Sequence, residues 1–139
     1  DVYKRQEEMY AEWLAGYPGV GSETGLSDNP DGDALDNLAE YALGGNPDNA
    51  ADIGIASVVQ DEGGWFYFVH AQRKYAAERG LVYDVVKDVD LVYGDFTNTN
   101  VEVVGTNTSY VVGFDAVTNR VPSDALDQQF LKLEIEANF

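Results

Sequence analysis

Apolar residues recur at helical spacing near the start of the chain and at strand spacing through most of the rest. Met9, Tyr10, Trp13, Leu14 and Tyr17 share one face, while Lys4, Arg5, Glu7, Glu8 and Glu12 fill the others, which predicts an amphipathic helix over residues 3–16. Gly16, Pro18, Gly19 and Gly21 end it and open a loop that runs to Asp28. Leu35, Leu38, Ala39, Ala42 and Leu43 then mark one face of a second helix. Its acidic start suits the positive end of the helix dipole, and Gly44-Gly45-Asn46-Pro47 is a stop signal.

From Ile53 the period changes to that of strands. Residues 53–60 and 65–72 flank Asp61-Glu62-Gly63-Gly64 and predict a hairpin. The second of these strands is apolar on both faces, with Trp65, Tyr67 and Val69 against Phe66 and Phe68, which places it centrally in a sheet. A third strand is expected over residues 81–87. Two short ones follow at 101–104 and 110–114, with Gly105-Thr106-Asn107-Thr108 as the turn between them. The last alternates Leu131, Leu133 and Ile135 against Lys132, Glu134 and Glu136. The predicted fold is therefore mainly β. It is an antiparallel, jelly-roll-like β-sandwich with a helix–loop–helix at its N-terminal edge. One domain over residues 1–139 is expected, made of a helical segment 1–47 and a β module 53–139.

The loop between the helices carries the strongest chemistry. Asn29-Pro30-Asp31-Gly32-Asp33-Ala34-Leu35-Asp36-Asn37-Leu38-Ala39-Glu40 alternates oxygen-bearing side chains with small ones before the helix begins. A hard cation takes six to eight oxygen ligands, and a twelve-residue loop supplies them from alternating positions and a closing Glu. The ligand set expected here is Asn29, Asp31, Asp33, the carbonyl of Leu35, Asn37 and Glu40. Ca²⁺ is preferred to Mg²⁺, which wants fewer protein ligands and stricter octahedral geometry. Asn29 replaces the usual first Asp, and Asp28 beside it could compensate. Ala34 occupies the position where Gly normally allows a sharp turn, so a left-handed Ala costing about 1 kcal/mol is expected. An acidic turn that only caps the second helix would use some of the same residues.

Composition narrows the partners. The chain has 25 acidic and 8 basic residues and a formal net charge of -17, a field that repels nucleic acid and anionic membrane surfaces. No run is apolar enough for membrane insertion. There is no cysteine, hence no disulfide framework, thiolate metal site or Cys nucleophile. A chain starting at Asp1 suggests a domain cut from a longer protein, covalently linked to others.

Trp13-Leu14-Ala15-Gly16-Tyr17-Pro18, Gly25-Leu26, Asn29-Pro30-Asp31-Gly32-Asp33, Asn37-Leu38 and Glu40-Tyr41-Ala42-Leu43-Gly44-Gly45-Asn46-Pro47 together resemble a segment that recurs in large secreted bacterial proteins. The loop resembles thrombospondin type 3 and dockerin-like calcium loops. Arg73, Arg79-Gly80-Leu81, Asp90-Leu91 and Phe130-Leu131-Lys132-Leu133 extend the similarity into the β half. The resemblance implies a C-terminal, non-catalytic accessory domain of a secreted or cell-surface protein, often a polysaccharide-active enzyme, with a structural Ca²⁺.

Carbohydrate-binding modules stack sugars on exposed aromatics, and Tyr75, Tyr93 and Phe96 lie in loop-like contexts suited to that use. Arg73, Lys74 and Arg79 form a basic cluster able to contact a charged sugar, or to pair with neighbouring carboxylates. Catalysis has no comparable support. His70 is the only histidine, and no nucleophile elbow or phosphate loop is present. Asp84, Asp88, Asp90 and Asp95 have the character of solvated strand ends. The expected function is a carbohydrate-binding accessory module, with a purely structural calcium-stiffened spacer or surface-attachment domain as the alternative.

Overall fold

A computed structural model describes residues 1–88, 94–123 and 129–139. The fold is mainly β, with six antiparallel strands in two sheets and two α-helices among the described residues. The described chain separates into two compact units. One comprises Asp1–Ala56, Gln72–Val82 and Ile135–Phe139; the other comprises Ser57–Ala71 and Tyr83–Glu134.

In the first unit, α1 (Val2–Leu14) is capped by Asp1, whose carboxylate accepts from the Tyr3 and Lys4 amides. It buries Gln6, Tyr10 and Leu14, and Arg5 pairs with Glu8 and Glu12 on its outer side. Surface pairs of this kind contribute little stability. The second helix, α2 (Asn37–Leu43), starts at Asp36, which accepts from Ala39 N, and ends at Gly44. Its buried side is not only the expected apolar stripe: Asn37, Glu40, Tyr41 and Ala42 are the buried residues. Tyr41 is the hub of an aromatic cluster, with ring centroids 5.4 Å from Tyr10 and 5.0 Å from Trp13. Tyr17 extends it from Trp13, and Phe139 from Tyr10. Edge-to-face and tilted pairs at these distances add to the area they bury.

In the second unit the larger sheet has the order β1-β2-β5-β4. β1 (Val58–Glu62) and β2 (Trp65–Arg73) form the expected hairpin. Its turn is the pair Gly63-Gly64, both at positive φ, which matches the twist of the flanking strands. β1 begins at Val58 rather than Ile53, because Ile55 N donates to Leu43 O and residues up to Ala56 belong with the helices. β2 is a central strand, as its two apolar faces predicted, and buries Phe68, His70 and Ala71. β3 (Leu81–Asp88) pairs with β6 (Phe130–Ala137) in the smaller sheet, and β6 keeps its alternation.

The fourth and fifth strands differ from expectation. Residues 105–108 are not a turn. β4 (Glu102–Val111) runs through them and pairs with β5 (Phe114–Pro122), and the reversal falls at Val112-Gly113. β4 is exposed along its whole length, so its polar residues keep their water. Register shifts between Val103 and Gly105 and between Asn107 and Val111 absorb the irregular sequence. β5 carries much of this unit's core through Phe114, Ala116, Val117 and Val121.

Candidate metal centre

The loop before α2 folds through its own side chains. Asn29 O and Oδ1 both accept from Gly32 N, and Asn29 Nδ2 donates to Asp33 O at 2.7 Å. Asp31 Oδ1 accepts from Asp33 N, and Asp33 Oδ1 accepts from Leu35 N at 2.7 Å. Each Asp therefore spends one oxygen on the loop backbone and keeps the other. The left-handed residue of the loop is Gly32, at φ 74. Ala34 is not left-handed: among the described residues, Tyr75 and Asn100 are the non-glycines at positive φ. The expected strain at Ala34 is thus absent, because the loop reverses two residues earlier, where glycine is present.

One carboxylate oxygen from each of Asp31, Asp33 and Glu40 lies within 4.8 Å of the others, a cluster that could hold a metal ion. The first turn of α2 delivers Glu40 to the two loop aspartates. Asp31 Oδ2, Asp33 Oδ2 and both oxygens of Glu40 are buried without a hydrogen-bond partner. Glu40 is only 1% exposed. Burial first, then the nearby charge of Asp33, with those of Asp31 and Asp52 adding to it, push its carboxyl up to about 8. Two like charges about 4 Å apart repel by roughly 4 kcal/mol at an effective dielectric of about 20. Proteins keep buried charges only when they are paired or ligate metals, and this donor set of hard oxygens fits a hard cation.

The other expected ligands make hydrogen bonds within the loop and the helix start, and Asn37 Oδ1 is buried without a partner. Asn37 is fully buried, and its Nδ2 donates to Glu23 O and Gly25 O, which ties the preceding loop to the helix start. Leu35 is half-buried and bonded to Asp33 through its amide. Asp28 accepts from Gly25 N at 2.8 Å, so it shapes the turn before the loop. Asp52 was not singled out by spacing. It stands twelve residues beyond Glu40, and only the fold of residues 46–54 brings its charge to bear.

Two members of the basic cluster turn toward α2. Arg73 Nε donates to Tyr41 O at 2.6 Å, and its guanidinium lies 4.9 Å from the Tyr41 ring and 6.0 Å from that of Trp13. Arg79 Nη1 donates to Tyr41 Oη, and its Nε donates to Lys74 O. The two arginines thus hold both ends of the residue after Glu40. Tyr75 lies between them in sequence, 68% exposed and at φ 60. Phe96 is half-buried with the Lys132 ammonium 4.2 Å from its ring. Tyr93, Asp90 and Leu91 lie outside the described residues. His70 is buried, its Nδ1 sits 3.0 Å from Ala71 O, and its ring stacks on Tyr83. Burial lowers its pKa.

Comparison with protein families, with curated proteins and with solved structures found no match to this chain.

Proposed function

We propose that the chain is a non-catalytic structural module of a larger exported protein, with its two helices stapled by Ca²⁺ held on Asp31, Asp33 and Glu40. The observation that carries this reading is the set of buried, unpartnered oxygens on three mutually close carboxylates. Ligand oxygens up to 4.8 Å apart fit around an ion with metal–oxygen distances of about 2.3–2.6 Å. Ca²⁺ is preferred because a set made of protein oxygens suits it better than Mg²⁺, which keeps several of its own waters. A Ca²⁺ there would cancel the repulsion among the three and join the loop to α2. Sites of modest charge work where calcium is abundant, which supports an extracellular or cell-surface location. The family resemblance of the loop and of residues 40–47 points the same way.

The β strands are read as a sandwich. Support comes from the ring of His70 on β2 stacked against Tyr83 on β3. Val59 and Phe66 of the larger sheet also line one cavity of about 200 Å³ with Phe130 and Leu131 of the smaller. A non-catalytic role is supported by His70, whose imidazole is spent on packing.

One observation favours carbohydrate binding as a second reading. Tyr75 is an exposed ring held at positive φ, a conformation that costs about 1 kcal/mol and that Gly or Asn would adopt more cheaply. Arg73, Arg79 and Phe96 already have intramolecular partners, so this reading stands second. Thermal melts in chelator and in excess Ca²⁺ test the first reading. Ca²⁺ must raise the melting temperature by mass action, and Asp31→Ala with Asp33→Ala must remove the response. An identical melt with and without the ion rejects it. Affinity gels with neutral polysaccharides, run on wild type and Tyr75→Ala, test the second.

A further inference from the structure

We infer that Gly45 is a positioning residue for the cation site, because the absence of its side chain is what lets the Glu40 carboxylate reach Asp31 and Asp33. The inference rests on the cation reading above. A Cβ on Gly45 would coincide with Glu40 Oε2 and stand 2.7 Å from Glu40 Cδ. Backbone narrows the same space, since Asp52 O lies 3.0 Å from that point. That oxygen is fixed, because it accepts from Asn46 N at 3.0 Å. A methyl group at position 45 cannot retreat toward Asp52, so Glu40 has to leave.

Gly45 is not among the residues at positive φ, so alanine is allowed there by the backbone. The obstacle is steric, and its severe overlap is with one side chain, the backbone contact at Asp52 O being at 3.0 Å. Gly54 is a contrast within the same turn. Its φ is 78, and a Cβ there would meet the backbone at Leu43 O and at Gly45 N, 2.7 Å away. Substitution at Gly54 damages the fold itself, whereas substitution at Gly45 acts through Glu40. The glycine pair after α2 therefore divides its work: Gly44 ends the helix and Gly45 makes room for a ligand.

Calorimetric Ca²⁺ titration and urea unfolding in chelator test this on wild type, Gly45→Ala, Glu40→Asp and the double variant. Gly45→Ala is expected to weaken Ca²⁺ binding at least tenfold in the wild-type background. With Glu40→Asp, whose carboxylate is one methylene shorter, the same change is expected to alter affinity less than threefold and to perturb the chelated unfolding constant less. A Gly45→Ala protein that folds only together with Glu40→Asp supports the inference. Unaltered Ca²⁺ affinity in Gly45→Ala overturns it, as does equal damage in both backgrounds. A wild type that binds no Ca²⁺ overturns the cation reading, and this inference falls with it.

Discussion

Replacing Glu40 by Gln should stabilise the metal-free protein at neutral and alkaline pH while abolishing its response to Ca²⁺. The carboxyl has a folded pKa of about 8 against an ordinary 4.5. A raised carboxyl pKa means that the folded state binds the proton more tightly than the unfolded state. Its contribution is therefore fully present below pH 4.5 and lost as the pH rises to about 8. At about 1.36 kcal/mol per pH unit, the chelated wild type loses roughly 3 kcal/mol by pH 7 and roughly 5 kcal/mol by pH 9. At about 3–4 °C per kcal/mol for a chain of this size, the first figure is a fall of roughly 10 °C in melting temperature. Glu40→Gln removes that slope and keeps a group able to bond to Asp33. With saturating Ca²⁺ the ionised form is the one required, so the wild-type profile should turn upward with pH. Urea unfolding at pH 5, 7 and 9, in chelator and in Ca²⁺, measures all four curves. Parallel chelated profiles for wild type and Glu40→Gln would refute the reasoning, because they would mean that Glu40 is not a protonated, buried carboxyl.

Three further outcomes follow from the same geometry. Arg73→Ala should destabilise the protein by about 1.5–3 kcal/mol, since it removes a charged donor from the buried Tyr41 carbonyl as well as its contact with the ring; a denaturant melt checks this, and a loss below about 0.5 kcal/mol counts against it. Tyr75→Gly should raise stability by a few tenths to about 1 kcal/mol by relieving a left-handed tyrosine, and a measurable loss would mean that its ring contributes packing. Gly64→Ala, at φ 84 in the β1–β2 turn, should cost about 1 kcal/mol even though a Cβ there meets nothing, so an unchanged melt would contradict the strain argument.

Elements with one clean period were legible in the sequence. α1, β2 and β6 each bury one face or sit centrally between neighbours, and burial writes its period into the residues, while the exposed edge strand β1 was marked by the Gly63-Gly64 turn that joins it to β2. β4 and β5 failed for opposite reasons. β4 buries neither face, so nothing selects for alternation, and its Gly, Thr and Asn resemble a loop. β5 buries the adjacent pair Ala116 and Val117 and then Asn119, which breaks the period and puts an amide in the core. At the candidate site, the acidic ligands were legible because loop spacing places them locally. Asp52 and Gly45 were not, since their relation to Glu40 exists only once residues 44–54 fold back beneath the helix.

The placement of Glu40 next to Tyr41 explains how so strained a carboxylate cluster persists in a small unit. With no ion bound, Glu40 must take up a proton to stay buried beside Asp31 and Asp33 at pH 7, which works against folding. The next residue opposes that effect. Tyr41 is fully buried, packs against Tyr10 and Trp13, and is bonded at its carbonyl by Arg73 and at its hydroxyl by Arg79. Burying an aromatic side chain contributes on the order of 2–3 kcal/mol, and each charge-assisted hydrogen bond about 1.5–3 kcal/mol. Together these exceed the roughly 3 kcal/mol assigned to Glu40 at neutral pH, so α2 can hold its position before any ion binds. The cation loop then closes onto a helix that is already fixed, and little binding energy is diverted to ordering it. If Arg73 and Arg79 perform this service, replacing either should weaken Ca²⁺ affinity although neither lies in the acidic cluster. Unchanged affinity in a folded Arg79→Met variant would show that the acidic loop organises its helix unaided.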